Sequence, residues 1–146
     1  MESSEARVLV VANQTAATPA LLDAVRERAA RGPARFTLLV PNTARGLHRV
    51  VDPEDQETNA AEQTLELAIP LLERAAGSPV DGMIGDPEPL AAIQDAINLH
   101  GFDEIILSTL PKRVSRWLKL DLPHKCAGLG LPVTTVTAGG RTGAPV

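Results

Sequence analysis

The sequence predicts an α/β fold, a single three-layer domain in which a five-stranded, mostly parallel sheet carries helices on both faces. Short apolar runs of strand type alternate with segments of helical periodicity, which is the pattern of repeated β-α units. The strand-type runs, such as residues 8–12, are continuously apolar, as expected for strands covered on both faces. At 146 residues the chain is long enough to bury one core of this kind.

Turn and capping residues mark the ends of the predicted elements. Thr18 and Pro19 are typical of a helix start, and Gly101 is typical of a helix end. Strands are predicted at 8–12, 36–40, 79–84, 102–107 and 132–137, and helices at 19–32, 59–76 (kinked at Pro70) and 89–99, with a long polar loop over 41–57. We expect a flexible N-terminus over 1–6, one domain over 7–138 and a loose tail over 139–146.

Composition and charge argue against several classes of protein. The net charge of −4 and the 2% of aromatic residues, with no tyrosine, disfavour nucleic-acid binding. The single cysteine, Cys126, cannot form an internal disulfide or a multi-cysteine metal site. No apolar run approaches the roughly 20 residues that span a bilayer, and the N-terminus is acidic and polar. The sequence therefore predicts a cytoplasmic protein without membrane partners.

A ligand crevice is predicted at the carboxyl edge of the sheet, beside the first strand. Ligands of doubly wound sheets bind where the strand order reverses, and loops 13–15 and 108–111 would flank that point. Hydroxyl groups there could bind a phosphate or ribose, and the cations after the fourth strand could neutralise phosphate. The hydroxyl residues are Thr15, Ser108, Thr109 and Ser115, and the cations are Lys112, Arg113, Arg116 and Lys119. Two alternatives stay open, since strand-end hydroxyls also cap turns and basic helices are commonly solvated faces.

In these features the chain resembles the universal stress protein family over roughly residues 7–138. Residues 11–15 (VANQT) end the first strand where the family usually has an Asp followed two residues later by Ser. Residues 85–87 (GDP) precede the third helix, as Gly-Asp-Pro commonly does in the family, and residues 105–109 (IILST) stand where the family has an apolar run and Gly-Ser. The resemblance implies a Rossmann-like fold of the adenine nucleotide alpha hydrolase type. It also implies a homodimer through the last strand (131–138) and, as in many members, binding of ATP or another adenine nucleotide.

The candidate ligand-binding residues are chosen on two grounds, their position at strand ends and this resemblance. The resemblance implies that adenine lies near Val40 and Pro41. The full candidate set is Ala12, Asn13, Thr15, Val40, Pro41, Gly85, Ser108, Thr109, Lys112, Arg113, Ser115 and Arg116. No catalytic or metal-ligating residue is assigned, because the sequence assembles no base, nucleophile or metal cluster.

The chain departs from the family at the glycine-rich signature that ATP-binding members carry after strand four. Ser108 and Pro111 stand at its first two glycines, and Asp121 with Leu122 at its terminal pair. A proline lacks the N–H donor and a carboxylate repels phosphate, so the sequence predicts a divergent branch without that signature. The expected function is a stress-response or regulatory protein that binds a nucleotide or other phosphorylated ligand. The alternative is a ligand-free homodimeric interaction protein with a degenerate nucleotide site; a nucleotide hydrolase is a weaker third.

Overall fold

The computed structural model describes residues 5–13, 15–41, 53–110, 116–119 and 121–137. Their elements alternate strictly up to the fourth strand, as the sequence predicts. In chain order they are β1 (Ala6–Val11), α1 (Pro19–Arg31), β2 (Ala34–Pro41), α2 (Pro53–Ala76), β3 (Val80–Gly85), α3 (Pro89–His100), β4 (Glu104–Thr109), α4 (Arg116–Lys119), α5 (Leu122–Ala127) and β5 (Val133–Thr137). The predicted tail and most of the predicted flexible N-terminus lie outside the described residues, and β1 already begins at Ala6.

The five strands form one parallel sheet in the order β3-β2-β1-β4-β5. Two apolar clusters lie on its opposite faces, which confirms the three-layer α/β prediction. One cluster packs α1 and α2 on the sheet through residues such as Leu21 and Leu72, and the other packs α3 and α5 through residues such as Ile93 and Cys126. On one side of β1 the sheet continues with β2 and then β3, and on the other side it continues with β4 and then β5. The strand order therefore reverses between β1 and β4, where the sequence predicts a crevice.

The second helix is longer than the sequence predicts. It begins at Pro53, six residues before Asn59, so residues 53–57 of the predicted loop are helical. Proline suits the first turn of a helix, because its missing N–H is not needed there. The apolar periodicity on which the prediction rests begins only later in the helix sequence. The helix also continues past Pro70 to Ala76.

An ion pair ties the end of α1 to the start of β4. Arg28 donates from Nε and Nη2 to the Glu104 carboxylate at 2.7 to 3.1 Å, and both side chains are largely buried. The hydrogen bonds from Arg28 lower the pKa of Glu104 below its ordinary value, and the same bonds raise the pKa of Arg28. This bidentate pair helps to fix β4, and with it the strand end described next, against the α1 layer.

Candidate functional site

The buried polar residues of the described chain gather at one place. They are Thr15, Ser108 and Thr109, exposed by only 3%, 1% and 2%. Thr15 follows β1, and the other two end β4, so all three lie where the strand order reverses. Every other fully buried residue that the structure describes is apolar. Burying a hydroxyl costs free energy unless it is hydrogen-bonded, so this concentration requires a local explanation.

Thr15 and Ser108 are hydrogen-bonded to each other, which compensates the burial of two of the three hydroxyls. Their hydroxyl oxygens lie 2.6 Å apart, and this hydrogen bond joins the β1–α1 loop to β4 at the point where the strand order reverses. The loop itself is a compact turn, because Ala16 donates to the Asn13 carbonyl and Thr18 donates to the Thr15 carbonyl from both its amide and its Oγ1. Those backbone bonds turn the Thr15 side chain inward. The structure thus brings together two of the hydroxyls that the sequence places at the crevice.

Thr18 does not cap α1 in the expected way. It occupies the N-cap position, but its hydroxyl bonds the Thr15 carbonyl and makes no side-chain cap, and the first turn of α1 holds no acidic residue. The N-terminus of α1 therefore keeps its partial positive charge uncompensated by these residues. That end of the helix opens towards the same edge of the sheet as the hydroxyl pair.

Thr109 lies on the other face of the same strand end. Side chains alternate along β4, so Thr109 shares the α3 and α5 face with Leu107, whereas Ser108 shares the α1 face with Ile106. Its register partner in β5 is Thr137. The Thr109 Oγ1 is buried and has no hydrogen-bond partner among the residues that the structure describes. The period-two alternation of a strand was the available signal for this split, but sequence reasoning grouped the two hydroxyls together.

The apolar members of the candidate set line the adjoining strand ends. Ala12 and Val40 are buried, and Ala12 donates its amide to the Leu39 carbonyl at 3.2 Å, which holds the ends of β1 and β2 side by side. Pro41 is buried at the end of β2 and pairs in register with Gly85. Asn13 is half-buried at the start of the β1–α1 loop. These residues bring the ends of β1, β2 and β3 to one edge.

Gly85 has a packing reason of its own to be glycine. A Cβ built there would lie 2.8 Å from the Ala92 Cβ of α3 and 2.9 Å from Leu39 Cδ1. The helix therefore sits on the strand end at a distance that only glycine permits. Asp86 and Glu88, which follow, accept the Glu88 and Ala91 amides and begin α3. The structure accounts for Gly85 through this contact, without a ligand.

Of the three cations in the candidate set, Arg116 alone lies among the described residues. Lys112, Arg113 and Ser115 lie outside the described residues, and Arg116 is the first residue of the short helix α4. Trp117, which follows Arg116, is half-buried and packs on the cluster of α3 and α5. Asp121 has a left-handed backbone (φ 61°), occupies the N-cap position of α5, and has its carboxylate 3.5 Å from His124 Nδ1.

Two further properties bound the chemistry of the described residues. They contain no group of three or more His, Cys, Asp or Glu side chains placed to hold a metal ion. Within the same residues, no helix is both long and apolar enough to cross a membrane. The strand ends bring together neutral, buried hydroxyls and apolar side chains beside a helix N-terminus.

Known proteins match this chain in structure but not in sequence. No protein-family model matches the chain, and no curated protein matches its sequence. Among solved structures, a universal stress protein from Archaeoglobus fulgidus superposes with a TM-score of 0.63 at 16% identity, covering 89% of this chain and 92% of that chain. A universal stress protein family member from Burkholderia pseudomallei gives 0.62 at 17% identity, covering 90% and 95%. A universal stress protein in complex with cAMP gives 0.61 at 16% identity, covering 92% and 98%. The chain therefore has the fold of the universal stress proteins.

Proposed function

We propose that this chain is a stress-response or regulatory protein of the universal stress protein type. In this proposal it binds an adenine nucleotide, or another small phosphorylated ligand, at the carboxyl ends of β1 and β4. One observation carries the proposal: the buried polar residues of the described chain, Thr15, Ser108 and Thr109, all lie where the strand order reverses. That point is where open α/β sheets bind ligands.

The hydroxyl pair retains hydrogen-bonding capacity for a ligand. Each hydroxyl carries one proton and two lone pairs, and the bond between Thr15 and Ser108 uses one proton and one lone pair. One proton therefore remains to be donated from a position between the two loops. The N-terminus of α1 adds backbone amides and a positive dipole end at the same edge. Both features favour a ligand with negatively charged oxygen, such as a phosphate group.

One of the solved structures with this fold supports the proposal, because that universal stress protein is in complex with cAMP. We assign the adenine to the apolar strand end formed by Val40 and Pro41, and the phosphate side to Thr15, Ser108 and the cations that follow β4. In this assignment Arg113 and Arg116 take the place of backbone donors that a glycine-rich loop would supply.

Isothermal titration calorimetry with ATP, ADP, AMP and cAMP at millimolar concentration tests the proposal. We expect at least one of them to bind, to change the fluorescence of the single tryptophan, Trp117, and to bind more weakly to Thr15→Val and Arg116→Glu. Ser78→Ala, which lies just before β3 at the opposite edge of the sheet, is the control for the loss of a hydroxyl and should bind as the parent does. Flat titrations with all four nucleotides would overturn nucleotide binding.

A second candidate function, assembly of two copies without a small ligand, is favoured by the open edge at β5. Strand β5 is the last strand of the sheet, and Ile105 donates to the Pro132 carbonyl in the ladder with β4. The backbone N–H and C=O groups of successive residues in a parallel strand point alternately to its two neighbours. The bond to Pro132 therefore means that the backbone polar groups of residues 132, 134 and 136 point towards β4. The N–H and C=O groups of Val133, Thr135 and Thr137 point outward, as required for pairing with a second copy.

Light scattering coupled to size-exclusion chromatography tests this assembly. Thr135→Pro removes an outward amide and spares the amides that bond β4, so it should convert a dimer to a monomer and leave the circular dichroism spectrum intact. A parent protein that is monomeric at high micromolar concentration would contradict assembly through β5. A dimer that Thr135→Pro does not disturb would place the interface elsewhere.

A further inference from the structure

We infer that a second copy of this chain docks on a corner of the sheet beside β3, about a two-fold axis. The corner lies on the α3 face of the sheet, over the amino halves of β2 and β3, with one side chain of α3 beside it. We call it the β3 corner, and its residues are Arg35, Thr37, Asp81, Met83 and Leu99. Strand β3 is the sheet edge opposite β5, so one copy can use both edges at once. The inference is independent of ligand binding.

The β3 corner exists because α3 crosses the sheet diagonally. Near its start the helix lies over the carboxyl end of β3, since a Cβ built on Gly85 would lie 2.8 Å from the Ala92 Cβ. At its other end it reaches the amino end of β1, where the Gly101 carbonyl accepts a hydrogen bond from Arg7 Nε at 2.9 Å. This diagonal leaves the amino halves of β2 and β3 without cover from a described helix on that face. Strands of parallel sheets are normally covered on both faces.

The strand side chains of the β3 corner are more exposed than those on the other face of the same strands. Phe36 belongs to the buried cluster of α1 and α2, so side-chain alternation places Arg35 and Thr37 on the α3 face. There Arg35 is exposed and Thr37 is half-buried. The same alternation places Asp81 and Met83 of β3 on the α3 face, exposed and half-buried in turn. A strand pair that is buried on one face is thus open to a partner on the other.

Leu99 supplies the apolar part of the β3 corner. It follows Ala92 by seven residues, which is close to two helical turns, so it lies on the stripe of α3 that faces β3. Its side chain is nevertheless 73% exposed, because the sheet beneath this end of the stripe belongs to the uncovered part. Among the described residues, the other exposed large hydrophobic side chain is Leu67, on α2 and therefore on the opposite face of the sheet.

The charges of the β3 corner indicate that its occupant is a second copy. Arg35 Nε lies 3.5 Å from the Asp81 carboxylate, and both side chains are more than half exposed, so a partner can reach either of them. The pair has no net charge, so it favours neither a strongly acidic nor a strongly basic partner. Two copies related by a two-fold axis bring the Arg35 of each to the Asp81 of the other. The same contact removes Leu99 from water.

Small-angle X-ray scattering in the Thr135→Pro background tests the β3 corner, because that substitution removes the contact through β5. The corner is smaller than the patch of about 20–30 residues that a stable interface uses, so we expect dimers only near millimolar concentration. Arg35→Asp and Asp81→Arg should each weaken this association about tenfold or more, because each brings like charges together. An equimolar mixture of the two variants should restore it, since Asp then meets Arg at both contacts. The circular dichroism spectra should not change, because an exposed ion pair contributes little to stability.

Two matched controls lie outside the β3 corner. Arg26→Asp breaks a comparably exposed ion pair with Asp23 on α1, and Leu67→Lys is the control for Leu99→Lys. Both controls should associate as the background does, and Leu99→Lys should not. A Thr135→Pro chain that is monomeric at every concentration overturns the inference, and it leaves assembly through β5 standing where the parent is a dimer. Charge variants that associate as well as the background, or that do not associate with each other, overturn it as well.

Discussion

The hydrogen bond between Thr15 and Ser108 makes a prediction that concerns the fold alone. At 2.6 Å between two hydroxyls that are 3% and 1% exposed, removal of either partner leaves the other buried without a partner. Such a loss costs about 1–3 kcal/mol, whereas replacing both partners by apolar groups of similar shape is nearly neutral. We therefore expect Thr15→Val and Ser108→Ala each to destabilise the protein. The double variant should be no less stable than the worse single variant.

Urea unfolding followed by circular dichroism measures the three free energies. A loss of about 2 kcal/mol with an m-value of about 2 kcal/mol/M lowers the urea midpoint by about 1 M, which is readily resolved. The m-value should not change, because neither substitution alters the surface exposed on unfolding. The coupling energy of the double-mutant cycle should be about 1 kcal/mol or more.

Additive costs would refute the reasoning. If the double variant loses the sum of the two single losses, the hydroxyls do not depend on each other, and each has its own partner. The crevice would then not be bridged between the β1–α1 loop and β4. Ser78→Ala serves again as the control, with an expected change of less than about 0.5 kcal/mol.

Three other predictions concern an ion pair, a close helix contact and a buried thiol elsewhere in the fold. Glu104→Gln should cost about 1–3 kcal/mol near neutral pH, because it removes the charge that Arg28 binds through two nitrogens. The pKa of Glu104 is lowered in the folded state, so its ionised form stabilises the fold above its ordinary pKa of about 4.3. This stabilisation is lost as the pH falls through the folded pKa. The stability of Glu104→Gln should therefore lack this part of the fall in acid. Gly85→Ala should cost about 1–3 kcal/mol, because the new Cβ meets the Ala92 Cβ at 2.8 Å. Burial raises the pKa of Cys126 to about 11, so a thiol reagent at pH 8 should react with it only when the protein unfolds.

Each of these has an outcome that contradicts it. An unchanged acid limb in Glu104→Gln would mean that other carboxylates dominate acid unfolding. A Gly85→Ala variant as stable as the parent would show that α3 can move away from β3, and would free Gly85 for the ligand role that the sequence suggests. Fast reaction of Cys126 in the native protein would show that α5 opens readily. The reaction in denaturant supplies the reference rate for the last measurement.

The sheet could be predicted because its signals are local and mutually consistent. Continuous apolar runs, such as residues 8–11 in β1, require cover on both faces, and the parallel order follows from the helices between the runs. The start of α2 could not be placed by the same signal. Residues 53–57 carry no apolar periodicity in the sequence, and Pro53 is the signal there that is typical of a helix start.

The sequence predicts which strand ends form the candidate site, but not the contacts that the side chains make there. Strand-end position predicts that Thr15 and Ser108 approach each other, since both flank the reversal, and the structure places them in contact. It does not predict that Thr18 bonds a loop carbonyl in preference to capping α1, because a threonine before Pro19 has both options within reach. It also does not predict that α3 packs closely over Gly85, because that approach is a distance between two elements; the ligand role of Gly85 stays a prediction.

The distribution of buried polarity is the strongest argument that this sheet edge does more than close the fold. Elsewhere in the described core, β1 and β4 fill both faces with valine, leucine and isoleucine, whereas Thr15, Ser108 and Thr109 place buried hydroxyls at the strand ends. Thr15 and Ser108 satisfy each other, so the cost of a buried hydroxyl falls on Thr109, whose Oγ1 has no hydrogen-bond partner among the described residues. Departures from local consistency are expected at functional sites. That all three hydroxyls lie at the reversal of strand order, and on both faces of the sheet, is why we propose this edge as the ligand site.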